Sequence, residues 1–341
     1  SALEEKTGLG AKQSELYDRQ IRLWGVEAQK RMQSSKLLLV GLGGLGAEVL
    51  KNLILAGISA TVVDGVTVTE GDLASNFFLD ANDIGKPRAT AALSRIRELN
   101  SFVTVESHVE SVDNLPDDLI QSHNLIVVTQ ATLDQQKRLN TIARANKMAY
   151  YAADVFGFEG ICLVDLCRHE YHVESGTGES IKVDGPFQIE YPSLDDMLQT
   201  RWTALRNRWG PVSMVFVRYC ILTQFRHTHG RTPTAQDSSQ LEEIGHKILT
   251  EQAADGVTFN KEDAECLAGQ QGVDLSPVCA ILGGVIGQEV VKFISGKGAP
   301  IENIFVLNAM DSEGKVFRAP PKMNGKKRQR EPEEAGIAIE L

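Results

Sequence analysis

The stretch that decides the fold reads LLLVGLGGLGA and occupies residues 37–47. Four apolar residues precede a glycine-rich turn, and an amphipathic segment continues to Ala56, a pattern that predicts a strand, a loop and a helix. The glycines of the turn are Gly41, Gly43, Gly44 and Gly46. Glycine permits positive φ and close approach of a phosphate, and the free N–H groups at a helix start favour an anion.

A carboxylate follows the next predicted strand. Residues 60–63 read ATVV and precede Asp64, at about the spacing expected of an acid that binds a ribose hydroxyl. Further strand and helix patterns alternate along residues 88–152, so we predict an α/β fold with a Rossmann-like, doubly wound and mostly parallel sheet. Residues 160–166 suggest an antiparallel extension. Because glycines alone are a weak signal, the alternative is a tight turn in an ordinary α/β protein.

Composition excludes several classes of protein. The chain has 341 residues, 42% of them hydrophobic, and a net charge of −10, which argues against a nucleic-acid partner because phosphate backbones attract a basic surface. We see no apolar run near the ~20 residues that cross a membrane, and no secretory signal. The five cysteines contain no CxxC pair, which indicates reduced thiols and predicts no zinc site of the paired-cysteine type.

The remaining pattern predicts three regions: a flexible N-terminus (1–13), a domain (14–318) with a polar excursion at 167–211 that has little core, and an unfolded tail (319–341). A long apolar helix at 276–294 contains Gly283, Gly284 and Gly287, which indicates a close packing contact because glycine lowers helix stability. The tail carries the basic cluster KKRQR at 326–330, which suits either nuclear import or simple solubility.

Near the N-terminus, residues 15–32 show the period of one helix. Tyr17, Ile21, Trp24, Ala28 and Met32 share a face, since they recur at spacings of three and four. Arg19 and Arg22 point away from this face. From the pattern alone they are ordinary surface arginines.

Several strings resemble the activating enzymes of ubiquitin-like modifiers, and within that family most closely the smaller subunits of SUMO-activating enzymes. The resemblance covers residues 14–318. It is carried by YDRQIRLWG (17–25), the loop at 41–46, IGK (84–86), DVFGFEG (154–160) and PVCAILGG (277–284). Active members adenylate the modifier's C-terminal glycine with ATP and Mg²⁺, and the family pattern has an Asn and Arg pair, a Lys and a metal-binding Asp.

This chain departs from the family pattern at each of those positions. Ala74 and Ser75 occupy the expected Asn and Arg positions, Arg88 replaces the Lys, and Gln130 follows the fourth strand, with Asp134 displaced by about two residues. The resemblance therefore implies a degenerate pocket of its own, formed by the four loop glycines and Asp64, that binds no nucleotide and no metal.

The resemblance also implies what such a chain does. It would be the non-autonomous half of a heterodimer whose larger subunit binds ATP, Mg²⁺ and SUMO, carries the thioester cysteine, and passes SUMO to the SUMO-conjugating enzyme. The residue matching Arg19 would act in trans on the ATP phosphates of the partner subunit. It further implies inactivity of the chain alone and a location in the nucleus, and also in the cytoplasm.

Three alternatives stay open from the sequence. A self-sufficient homodimeric enzyme of the sulfur-carrier-activating type would usually have two CxxC pairs, which are absent. A nicotinamide-dependent oxidoreductase is supported only by the glycine loop and Asp64. In a purely structural subunit, the N-terminal helix would hold the partner without contact to ATP.

Overall fold

The computed structural model describes residues 10–176, 182–205, 212–254, 256–321 and the backbone of 339–340. Its centre is a nine-stranded mixed sheet in the order β11-β10-β9-β6-β5-β4-β1-β2-β3. The parallel half consists of β1 (Lys36–Val40), β2 (Ser59–Val63), β3 (Val105–His108), β4 (Leu125–Thr129) and β5 (Ala149–Phe156). The order reverses between β1 and β4, so their carboxyl ends border a crevice of the kind that binds ligands in such sheets.

The antiparallel half extends the sheet beyond β5, as predicted for residues 160–166. It consists of β6 (Glu159–Asp165), β9 (Ile304–Asn308), β10 (Glu313–Phe317) and the two-residue β11 (Ile339–Glu340). A separate hairpin pairs β7 (Arg168–Ser175) with β8 (Lys182–Glu190).

Helices cover both faces of the sheet because alternate residues of β1 point to opposite sides. Leu37 and Leu39 lie in one hydrophobic core, and Leu38 and Val40 lie in the other. The helices of the described residues are α1 (Ala11–Leu16), α2 (Asp18–Trp24), α3 (Val26–Ser34), α4 (Gly44–Leu55), α5 (Arg88–Ala91), α6 (Leu93–Leu99), α7 (Asp117–Gln121), α8 (Leu133–Ala145), α9 (Leu194–Gln199), α10 (Met214–His229), α11 (Ser238–Gln252), α12 (Lys261–Gly269) and α13 (Ser276–Ser295). The doubly wound, mostly parallel sheet predicted from the sequence is confirmed.

The N-terminal segment is three short helices, so the prediction of one helix over 15–32 was wrong. Gly25 separates α2 from α3 with a φ of 87°, a conformation that glycine adopts without a steric cost. Of the predicted stripe, Tyr17, Ala28 and Met32 are buried. Helix α1 begins at Ala11, within the N-terminus predicted as residues 1–13; residues 1–9 lie outside the described part of the chain.

The predicted excursion at 167–211 packs into the two main cores, for example through Tyr191 in the first and Trp202 in the second. Ala319, the first residue of the predicted tail, is fully buried and bonded through its N–H and C=O to the side chain of Asn303. The backbone of residues 339–340 pairs with β10, whereas the basic cluster at 326–330 lies outside the described residues.

The apolar helix α13 packs along α4 through two of its three glycines. A Cβ at Gly283 would lie 2.7 Å from Glu48 Cβ, and one at Gly287 would lie 3.0 Å from Asn52 Cβ, whereas Gly284 has nothing within 4 Å. Among the described residues, α13 is the one helix long and apolar enough to cross a membrane, contrary to the prediction of no such run. It is mostly buried in the protein, as expected of a core helix.

The contrast between neighbouring glycines gives a stability test. Gly283→Ala should lower the free energy of unfolding by about 1–3 kcal/mol, because the added Cβ forces α13 away from the backbone of α4. Gly284→Ala, the matched control, should leave stability unchanged or raise it by up to about 1 kcal/mol through helix propensity. Urea unfolding measures both; equal effects of the two substitutions would contradict the packing contact.

A nucleotide crevice filled by the protein's own side chains

The loop between β1 and α4 has the backbone geometry that the sequence predicts. Gly41 has a φ of 89°, and a Cβ there would collide with the carbonyl of Thr129, so no other residue fits without strain. The following turn brings the first N–H groups of α4 to the carboxyl edge of the sheet. An anion would be stabilised there by these free donors.

A carboxylate of the protein already occupies the start of α4. Asp274, in the segment before α13, accepts a hydrogen bond from the N–H of Gly44 at 3.1 Å. Burial raises the pKa of Asp274, the bond from Gly44 opposes that effect, and the negative charge of Asp154 adds to the increase. The position where a helix N-terminus would bind a phosphate therefore already has an anionic partner.

Asp64 is also engaged within the protein. Its carboxylate accepts the N–H of Leu42 at 2.6 Å and the N–H of Val66 at 2.8 Å, and it forms an ion pair with Arg88 at 2.8 Å. Both charged side chains of this pair are at least 95% buried. These contacts use the lone pairs that the sequence-based prediction assigned to a ribose hydroxyl.

Arg88 connects residues that follow two strands, β2 and β4, across the crevice. Besides Asp64, its guanidinium contacts Asp72 at 2.7 Å and the amide oxygen of Gln130 at 2.8 Å. Burial would raise the pKa of Asp72, but hydrogen bonds from Thr69 and Arg88 lower it below its ordinary value. Gln130 has a φ of 55°, which costs a non-glycine residue of order 1 kcal/mol, so its bond to Arg88 helps to hold the side chain in the crevice.

A small cavity lies between the loop and the ends of β4 and β5. It has a volume of about 10 Å³ and is bordered by Gly43, Gly46, Thr129, Gln130, Asp154 and Asp274, among others. That volume suits about one water molecule. A phosphate group would therefore enter this cavity only if Gln130 or Asp274 moved.

Ser75 and Asp134 are two of the other residues compared above with positions of the family pattern. Ser75 is buried, and a Cβ at Gly44 would lie 2.6 Å from its hydroxyl oxygen. The neighbouring Asn76 is fully buried and donates to the carbonyl of Leu42 at 2.7 Å. This hydrogen bond helps to hold the loop in place. Asp134 lies in the first turn of α8, with its side chain 76% exposed and His227 at 3.5 Å. Within the described residues, no group of three or more acidic, histidine or cysteine side chains could hold a metal ion.

Arg19 lies at the opposite end of α4 from the crevice. Gln20, its neighbour in α2, donates to the carbonyl of Leu55 at 3.0 Å, and α4 spans twelve residues, or about 18 Å. The Arg19 side chain is exposed and has no ion pair with any other described residue. Arg22, in contrast, pairs with Asp18 at 2.9 Å.

Sequence reasoning found Asp64 and the glycines but missed Gln130 as a crevice contact, together with Asp72 and Asp274. The position of Gln130 directly after β4 was a usable signal, because carboxyl ends of parallel strands meet at one edge. For Asp274 there was no local signal, since 230 residues separate it from Gly44.

A family model matches this doubly wound fold with its glycine loop. The ThiF family matches residues 17–329, so the chain belongs to the ThiF family. SUMO-activating enzyme subunit 1 of Xenopus laevis is 32% identical over 92% of this chain and 97% of its own length. The protein of that name from Dictyostelium discoideum is 30% identical over 91% and 94%, and the human one 29% over 92% and 97%.

These relatives confirm the resemblance to the smaller subunits of SUMO-activating enzymes and disfavour the nicotinamide-dependent alternative. Among solved structures, a crystal structure of SeMet PaaA aligns with a TM-score of 0.56 at 16% identity, over 91% of this chain and 75% of that chain. At that identity the likeness concerns the fold alone.

The buried ion pair gives a second stability test. Arg88→Met should lower the free energy of unfolding by about 3 kcal/mol, because it leaves the Asp64 carboxylate buried without its counter-charge. Arg22→Met, the matched control, removes an exposed ion pair and should change the free energy of unfolding by no more than about 0.5 kcal/mol. Urea unfolding at pH 7 measures both, and a loss at Arg88 as small as that at Arg22 would contradict a structural role for the pair.

Proposed function

We propose that this chain is the non-autonomous subunit of a heterodimeric SUMO-activating enzyme. In this proposal the larger subunit binds ATP, Mg²⁺ and SUMO and forms the thioester, and the present chain supports adenylation of the SUMO C-terminus before SUMO passes to the conjugating enzyme. The relatives support it, since they match nearly end to end and are named as subunit 1 of such an enzyme.

The observation that carries the proposal is the filled crevice. A triphosphate at this chain's own loop would have to displace the Asp274 carboxylate from Gly44 and break the contacts of Arg88 with Asp64 and Asp72. Those contacts join buried opposite charges, and separating them leaves uncompensated charge in the interior. This favours ATP binding in the partner subunit rather than here.

Arg19 is the positive charge that we propose the chain contributes in trans. It is exposed, and its neighbour Gln20 is held at the end of α4 that lies farthest from the chain's own loop. When the SUMO carboxylate attacks the α-phosphorus and pyrophosphate leaves, negative charge accumulates on the phosphate oxygens. A guanidinium suits this task because its planar fork holds two oxygens and stays charged at neutral pH.

ATP–pyrophosphate exchange tests the division of labour between the subunits. The chain alone with SUMO should give no exchange above background, because its own crevice is closed. Addition of the larger subunit should produce SUMO-dependent exchange. Exchange by the isolated chain at a rate comparable to the heterodimer would overturn the proposal and would favour a self-sufficient homodimer.

The same assay on variants separates a catalytic Arg19 from a purely structural subunit. Arg19→Ala in the heterodimer should slow adenylation by about 10²-fold, the typical effect of removing one preorganised charge donor. Arg22→Ala in the same helix should leave the rate unchanged, because Arg22 is paired with Asp18. Analytical ultracentrifugation should show intact heterodimers for both, and a normal rate for Arg19→Ala would support the structural alternative.

We also propose that the chain works in both the nucleus and the cytoplasm. In this proposal the cluster KKRQR at 326–330 directs import into the nucleus. Replacement of its lysines and arginines by glutamine in a fluorescent fusion of the full chain should shift the protein toward the cytoplasm. The test should be made without co-expressed larger subunit, so that import of a complex does not hide the effect of the cluster. An unchanged distribution would leave the cluster as a solubilising tail.

A further inference from the structure

The carboxyl end of α4 is held by side chains from elsewhere in the chain. A helix leaves its last carbonyls without intrahelical donors, and these oxygens carry partial negative charge. Here three successive carbonyls each receive a side-chain amide: Asn100 donates to Ile54 at 2.8 Å, Gln20 to Leu55 at 3.0 Å and Gln29 to Ala56 at 3.0 Å. Two of the three donors belong to the N-terminal helices.

Tyr17 adds a fourth polar contact at the same place. Its hydroxyl accepts a hydrogen bond from Asn100 at 2.8 Å, and its side chain is fully buried. The hydroxyl also lies against Gly57, where an added Cβ would be 3.0 Å from it. Tyr17 and Gln20 therefore fix both the start and the middle of the helix that carries Arg19.

That helix is otherwise held at its carboxyl end, where the partly buried Trp24 packs against the first hydrophobic core. α2 has seven residues, none of them buried, and ends at Gly25 in a positive-φ conformation. Apolar contacts tolerate small rotations, whereas hydrogen bonds weaken steeply when their angles change. The bonds of Gln20 with Leu55 and of Tyr17 with Asn100 therefore restrict the direction in which Arg19 leaves the surface.

We propose that Gln20, supported by Tyr17, is a positioning residue for the adenylation reaction. Its amide bond to the Leu55 carbonyl fixes the angle at which the Arg19 guanidinium projects toward a nucleotide held by another subunit. The inference rests on the proposed function of Arg19. It assigns to Gln20 no contact with substrate, only control of where the charge is delivered.

The test uses the complete heterodimer and measures the rate and the KM for ATP in pyrophosphate exchange. Gln20→Ala and the isosteric Gln20→Glu both remove the bond to Leu55, because an ionised carboxylate cannot donate to a carbonyl. Each should slow the reaction by about tenfold, since small misplacements of a reacting group have effects of this size or larger. Tyr17→Phe should slow it less, because Asn100 keeps its bond to Ile54. Gln13→Ala in α1 is the matched control and should leave the exchange rate and the KM for ATP unchanged.

A double-mutant cycle with Arg19 distinguishes positioning from a general structural effect. If Gln20 acts through Arg19, then Gln20→Ala should have no further effect in the Arg19→Ala background, although it slows the parent enzyme. Thermal midpoints and the heterodimer dissociation constant should match the parent. An equal slowing by Gln20→Ala in both backgrounds, or a slowing that follows a weaker dimer, would overturn the inference.

The cycle also separates this inference from the function on which it rests. If Arg19→Ala is slow and every Gln20 variant is normal, the positioning role is wrong and the trans role of Arg19 stands. If Arg19→Ala itself is normal, the proposed trans role fails regardless of Gln20.

Discussion

The structure depends on helix α4 being held at both ends and along one side. Asp274 accepts a hydrogen bond from the N–H of Gly44 at its start, three amide side chains bond its last carbonyls, and Gly283 of α13 lies directly against its backbone. These contacts stabilise α4 because the terminal donors and acceptors of a buried helix need hydrogen-bond partners and its buried side needs close packing. Together they connect the closed crevice at one end of α4 to the arginine-bearing helix at the other.

The crevice illustrates how a nucleotide-binding scaffold can be filled without loss of its fold. The glycine loop keeps its geometry, yet Asp274 lies where a helix N-terminus would bind a phosphate, and Arg88 is surrounded by Asp64, Asp72 and Gln130. Opposite charges thus compensate one another inside the protein. These buried charges therefore have partners without a bound ligand.

Much of the fold followed from local patterns. Five parallel strands, the antiparallel strand after β5 and the long helix α13 were predicted because burial imposes clear periods and apolar runs on such elements. The N-terminal helix was predicted as continuous because its apolar spacing hides the break at Gly25. The hairpin of β7 and β8 was missed because most of its residues are exposed and β8 has one buried residue, so apolar residues mark this hairpin only weakly.

By itself, the sequence determined the glycine loop, the acid after the second strand and the outward direction of Arg19, since each depends on near neighbours and on regular spacing. Only the tertiary structure decided what fills the crevice and what orients α2. Asp274 meets Gly44, and Gln20 meets Leu55, across long separations in the chain. Contacts of this kind arise from the packing of whole elements, which no local pattern records.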